Sequence, residues 1–101
     1  MRNGMRPIHP GEILREEFVK PLGLSANALG RELHVPANRV TAILNEERAI
    51  TADTAMRLAA YFGTSEEFWM NLQSTYDLSV ARTTLARKIA AEVVPRGRKL
   101  A

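Results

Sequence analysis

Asn38 and Thr41 are the side chains of this sequence best suited to chemistry, and that chemistry is recognition rather than catalysis. Three residues apart, they share one face of a helix. An amide and a hydroxyl placed that way can hydrogen-bond to base edges in a DNA groove. Arg39 and Arg48 suit phosphate oxygens. Ser25 and Asn27, at the start of a preceding helix, offer free backbone N–H groups to another phosphate.

Other chemistries find little support. With no cysteine, a disulfide scaffold, a thiolate zinc site and a cysteine nucleophile are all excluded. His9 and His34 are the only histidines and stand 25 residues apart, so no metal site is expected and His9 reads as a capping or packing residue. Glu16, Glu17 and Glu32 have no His, Ser or Lys constellation beside them and read as solvated helix faces. No catalytic residue, cofactor or small-molecule substrate is expected. Trp69, with Phe68 and Phe62, reads as core or dimer interface rather than a base-stacking platform, because no basic groove interleaves them.

The elements that must position these residues are short helices. Pro10-Gly11 precede a helix over Glu12 to Val19, with Ile13, Leu14 and Phe18 on its apolar face, and Pro21 and Gly23 stop it. Ser25 caps a second helix that turns Ala28, Leu29 and Leu33 inward. Pro36 reads as the first position of a third helix. There Val40, Ile43 and Leu44 form the inward stripe, leaving Ala37, Asn38, Thr41 and Asn45 outside. Thr51 caps a fourth helix with Asp53 in its first turn, Ala55, Met56, Leu58, Ala59 and Phe62 as its apolar surface, and Gly63 at its end. Ser65 starts a fifth, through Phe68, Trp69, Leu72 and Tyr76. From Leu78 onward Leu85, Ile89 and Val93 recur every four residues, an amphipathic helix ended by Pro95. No stretch alternates with period two, so the chain is all-α. The second and third helices, joined by a three-residue turn, have helix-turn-helix dimensions, and Gly30 supplies the small residue that their steep crossing needs.

At 101 residues the chain is one domain, with a net charge of +3 that invites a nucleic-acid reading. The excess sits at the ends. Residues 10–81 carry six basic against ten acidic groups, while residues 82–101 carry six basic groups against Glu92 alone. No apolar run approaches membrane-spanning length, and the first residues lack the apolar stretch of a secretory signal, so a cytoplasmic location is expected.

Two segments carry a family resemblance: HPGEILREEFVKPLGLS at residues 9–25, and VPANRVTAILNEERAITADTAMRLAAYFGTSEEFWMNLQSTYDL at residues 35–78. Together they resemble HigA-type antitoxins, in the xenobiotic-response-element (XRE) branch of helix-turn-helix regulators, over roughly residues 8–80. The resemblance implies a five-helix, lambda-repressor-like domain, to which the Leu85–Ile89–Val93 spacing adds a C-terminal amphipathic helical extension. It implies a homodimer that binds double-stranded operator DNA and represses its own operon. A HigB-type mRNA interferase toxin would be held inactive in the complex, and the chain itself would not be an enzyme.

Carried over by position, the groove-facing residues fall on Ala37, Asn38, Thr41 and Ala42, with Arg39 beside them and Pro36 and Asn45 at either end. Ser25, Asn27 and Arg48 fall on backbone-contacting positions. The sequence departs from the family at Gly30, where alanine is usual, and at His34 and Glu46, where glycine is usual.

The expected organisation is a flexible N-terminus over residues 1–7, the helix-turn-helix domain over 8–80, a C-terminal helix over 81–94 and a disordered basic tail over 95–101. Phe68, Trp69, Leu72, Leu85, Ile89 and Val93 are the expected dimer or toxin interface. Two other readings stay open. One is a stand-alone helix-turn-helix regulator with no toxin. The other is a protein-interaction module that has lost DNA binding, motivated by the acidic middle and by Glu46 and Glu47.

Overall fold

The computed structural model describes residues 6–97. The expectations of a flexible start and a disordered tail fall in large part on residues 1–5 and 98–101, outside the described residues.

His9 begins the first helix. Its backbone is extended, and its Nδ1 accepts the Gly11 N–H at 2.8 Å, satisfying a donor with no intrahelical partner. This helix, α1, covers residues 10–22 in three continuous stretches. Pro10–Ile13 is α-helical; Leu14–Val19 widens to i→i+5 bonding, which brings the Lys20 N–H to the Arg15 carbonyl; Lys20–Leu22 is again α-helical. The helix therefore runs through Pro21 rather than stopping before it. A proline ring crowds the carbonyl four residues earlier, and the widened turn just before Pro21 relieves that crowding. Gly23, at φ +64°, ends it.

Helix α2 (Ala26–Leu33) is capped by Ser25, whose Oγ accepts the Ala28 N–H at 3.0 Å. Helix α3 (Ala37–Leu44) follows; Pro36 precedes it as an extended cap residue at ψ 143°, one place earlier than the sequence predicts. Helix α4 (Ala52–Phe62) is capped by Thr51 and closed by Gly63 at φ +76°. Helix α5 (Glu66–Glu92) starts at the Ser65 cap. No strand occurs among the described residues.

The core is Leu14 and Val19 from α1, Leu29 and Leu33 from α2, Val40 and Ile43 from α3, Ile50 from the loop, Ala55, Leu58 and Ala59 from α4, and Trp69 from α5. Met56 is an exception to the expected α4 stripe, being 56% exposed. Trp69 is 0% exposed, so the expectation that it lies at a dimer or partner interface is corrected. The Phe18 ring packs tilted against it, with centroids 5.0 Å apart, and against Phe62 at 4.9 Å, and the indole N–H donates to Thr64 Oγ1 at 2.7 Å. Both the apolar body and the polar end of the indole are thus satisfied inside one chain.

The expected boundary near residue 80 is absent from the secondary structure, because α5 runs unbroken for 27 residues. No Gly or Pro interrupts residues 66–92, and Asp77 to Ser79 cost a helix only tenths of a kcal/mol each, roughly, when no tertiary packing opposes them. The helix ends at Glu92. Val93 is extended at φ −102°, ψ 115°, so the third member of the Leu85–Ile89–Val93 series lies just beyond the helix. Pro95 biases the residue before it away from helical geometry. From Arg82 onward every described residue of α5 is exposed.

Candidate nucleic-acid interface

The second and third helices meet where Gly30 faces the turn. A Cβ at Gly30 would lie 3.0 Å from the Val35 carbonyl oxygen and 3.2 Å from the Ala37 Cα, so the helices approach as closely as a missing side chain allows. The turn is pinned by the Val35 N–H on the Gly30 carbonyl at 3.0 Å. His34 takes a left-handed conformation, φ 60°, ψ 44°, which glycine adopts most readily. Histidine is among the side chains that tolerate this region better than most.

Within α3, Val40 and Ile43 are fully enclosed, which fixes the rotation of the helix about its axis. Asn38, Thr41 and Asn45 then fall on the exposed side, with Ala37 and Ala42 half-buried at its margins. Asn27, Pro36 and Ala37 line one shallow groove together with Arg31 and His34. Ser25 is exposed beside them, and Arg48 is exposed on the loop after α3. That loop is held from inside: the buried Gln73 Oε1 accepts the Ile50 N–H at 2.7 Å, and its Nε2 donates to Asp77 at 3.0 Å.

Arg39 differs from the other polar members of the set. Its Nη1 donates to Asp53 Oδ2 at 2.8 Å, and the same oxygen accepts the Arg57 Nε–H at 3.0 Å. Arg57 in turn donates to the Leu33 carbonyl at the end of α2, 2.9 Å away. The Arg57 and Arg39 hydrogen bonds hold the Asp53 carboxyl below its usual range. Sequence reasoning places Asp53 in the α4 first turn but does not find it as the partner of Arg39. The only local signal is its i,i+4 spacing to Arg57.

Arg15 is the second residue that sequence reasoning misses. From α1 it donates to the Leu44 carbonyl at the end of α3 and pairs with Glu46 at 3.2 Å. Glu46 sits at φ 63°, and this pairing turns its charge toward α1. The acidic character that motivated a module without DNA binding is therefore partly neutralised within the chain.

The expected interface residues divide. Phe68 and Leu72 border an apolar groove with Ile8 and Ile13, flanked by Arg6 and Arg82. Leu85 and Ile89 are 44% and 50% exposed on the outer half of α5, and Val93 is 62% exposed beyond its end. Among the described residues, no three His, Asp or Glu side chains come together as a metal-binding group, and no helix is long and apolar enough to cross a membrane.

Three comparisons with known proteins fit this geometry. The helix-turn-helix family model matches residues 14–69. The chain is 56% identical over 80 residues to virulence-associated protein I of Dichelobacter nodosus, spanning 79% of this chain and 74% of that one. Its fold is similar to an addiction module antidote protein of the HigA family from Coxiella burnetii, with a TM-score of 0.85 and 58% identity over 90% of this chain and 99% of that one. It is also similar to the Pseudomonas aeruginosa antitoxin HigA solved with the higBA promoter, with a TM-score of 0.87 and 50% identity over 90% of this chain and 99% of that one.

Proposed function

The chain belongs to the XRE-type helix-turn-helix family and has HigA antitoxins as close structural neighbours, and from that premise we propose an antitoxin and autorepressor with two partners. One partner is double-stranded operator DNA, bound by a homodimer. The other is a HigB-type mRNA interferase, held inactive in the complex. The observation that carries the DNA half is the rotation of α3: burial of Val40 and Ile43 leaves Asn38, Thr41 and Asn45 on one open face.

In this reading α3 enters the major groove, about 12 Å wide. Asn38 and Thr41 read base edges, and Ala37 and Ala42 offer apolar contact to thymine methyls. Arg48, with the N-terminal N–H groups of α2 at Ser25 and Asn27, holds the phosphates. Pro36 and Asn45 bound the contact at either end. Residues 8–80 supply the DNA-binding unit, and residues 81–94, with Phe68 and Leu72, supply the contact to a second copy or to the toxin. A twofold dimer would present its two α3 helices about 34 Å apart, one turn of DNA.

The test has two arms. A gel shift with the region upstream of the chain's own gene should give a salt-sensitive complex, and no shift at low salt removes the repressor reading. Pull-down of the co-expressed neighbouring gene product should recover a small ribonuclease-like protein. Its absence leaves the stand-alone regulator in place.

A further inference from the structure

Arg39 lies beside the proposed reading face, yet its side chain is only 26% exposed, against 54% for its partner Asp53. The carboxylate is itself anchored. It stands in the first turn of α4, where the helix dipole favours an anion. It also shares Oδ2 with Arg57, which is tied to the α2 terminus through the Leu33 carbonyl. One fixed acid therefore links α4, the end of α2 and the reading helix. Only one Arg39 N–H is used in the Asp53 bond, whereas a guanidinium has five.

We propose that Asp53 is a positioning residue for operator recognition, orienting the Arg39 guanidinium at the edge of α3 so that its remaining donors meet a backbone phosphate only when α3 is seated in the operator's register. The proposal rests on the DNA-binding reading above. Its physical basis is preorganisation: a long, rotamer-rich side chain that is already ordered loses less freedom on binding.

The sign of the effect separates this role from simple electrostatics. Replacing Asp53 by Asn removes a negative charge near the nucleic acid, and charge alone would then tighten every complex. Positioning requires the opposite for the operator. Wild type, Asp53→Asn, Arg39→Ala and the double variant are titrated onto operator duplex and onto an unrelated duplex, with thermal melts confirming that each is folded.

The expected result is that Asp53→Asn weakens operator binding about three- to tenfold. Binding to the unrelated duplex should be unchanged or tighter, and the operator loss should disappear in the Arg39→Ala background. Arg39→Lys, which keeps the charge but not the planar fork, should lose operator selectivity in the same way and gives an independent readout. Operator binding by Asp53→Asn at or above wild-type strength overturns the proposal, as does a loss that persists without Arg39. Failure of the wild-type chain to bind the operator at all overturns the underlying DNA reading as well.

Discussion

A Cβ built on Gly11 would lie 1.8 Å from the carbonyl oxygen of Ile43, so the start of α1 rests directly on the backbone of α3. The neighbour is backbone rather than a flexible side-chain end, so it cannot swing aside. Gly11→Ala should cost about 3 kcal/mol or more, at the upper end of overpacking penalties. A melting temperature lowered by more than about 10 °C is expected for a domain of this size. A melt within 2 or 3 °C of wild type, on roughly the same scaling, would mean that α1 does not seat on α3 this closely.

The residue that caps α1 makes stability depend on pH. Burial holds the His9 imidazole below its ordinary pKa, with Glu46 and Asp77 opposing this. The unfolded chain therefore takes up the proton first as pH falls. The stabilisation is complete above the unfolded value, near 6.5, and declines as pH drops below it toward the folded value. Urea midpoints measured between pH 7.5 and 5 should fall on acidification. The fall should be smaller in His9→Asn, which can cap the helix without titrating. An equal fall in both proteins would assign the effect elsewhere.

Two side chains occupy backbone conformations that suit glycine. His34→Gly at φ 60° should stabilise by less than about 1 kcal/mol, the approximate cost of a left-handed non-glycine residue, because histidine tolerates this region and glycine adds freedom to the unfolded chain. Glu46→Gly at φ 63° should gain less, because it also removes the Arg15 pair, whose exposed geometry is worth under about 1 kcal/mol. Paired thermal melts of the two variants decide the order, and a destabilised His34→Gly would contradict the argument.

The outer half of α5 exposes Leu85 and Ile89, a stripe that an isolated helix in water has no means to bury. If this stripe forms the proposed dimer contact, Ile89→Asp, or removal of residues 80–101, should leave a monomer in sedimentation analysis where the full chain sediments as a dimer. A dimer that survives both changes places the interface elsewhere.

The helices and their caps were legible because they depend on neighbours in sequence. Ser25, Thr51, Ser65, Gly23 and Gly63 act within three or four residues of their own positions. The need for a small residue at Gly30 was legible for the same reason, since the turn it faces is five residues away. What escaped depends on distant packing. The enclosure of Trp69 requires Phe18 from α1 and Phe62 from α4 around it, and an aromatic in an amphipathic segment looks the same at a core or at an interface. Gly11 against Ile43, Arg15 against Glu46 and Arg39 against Asp53 are all pairs that only the folded chain brings together. The fusion of the last two helices escaped because the apolar stripe drifts along residues 66–92 while nothing breaks the backbone.

The central claim is that the open face of α3 reads an operator. Its most direct test is the binding of wild type and Asn38→Ala to the region upstream of the chain's own gene, and to a scrambled duplex, at several salt concentrations. The account predicts that Asn38→Ala loses about 1–3 kcal/mol on the operator and little on the scrambled duplex. Arg48→Ala, run in parallel, should weaken both and lower the salt slope by about one. Unchanged operator affinity in Asn38→Ala, or equal wild-type affinity for operator and scrambled DNA, would contradict it.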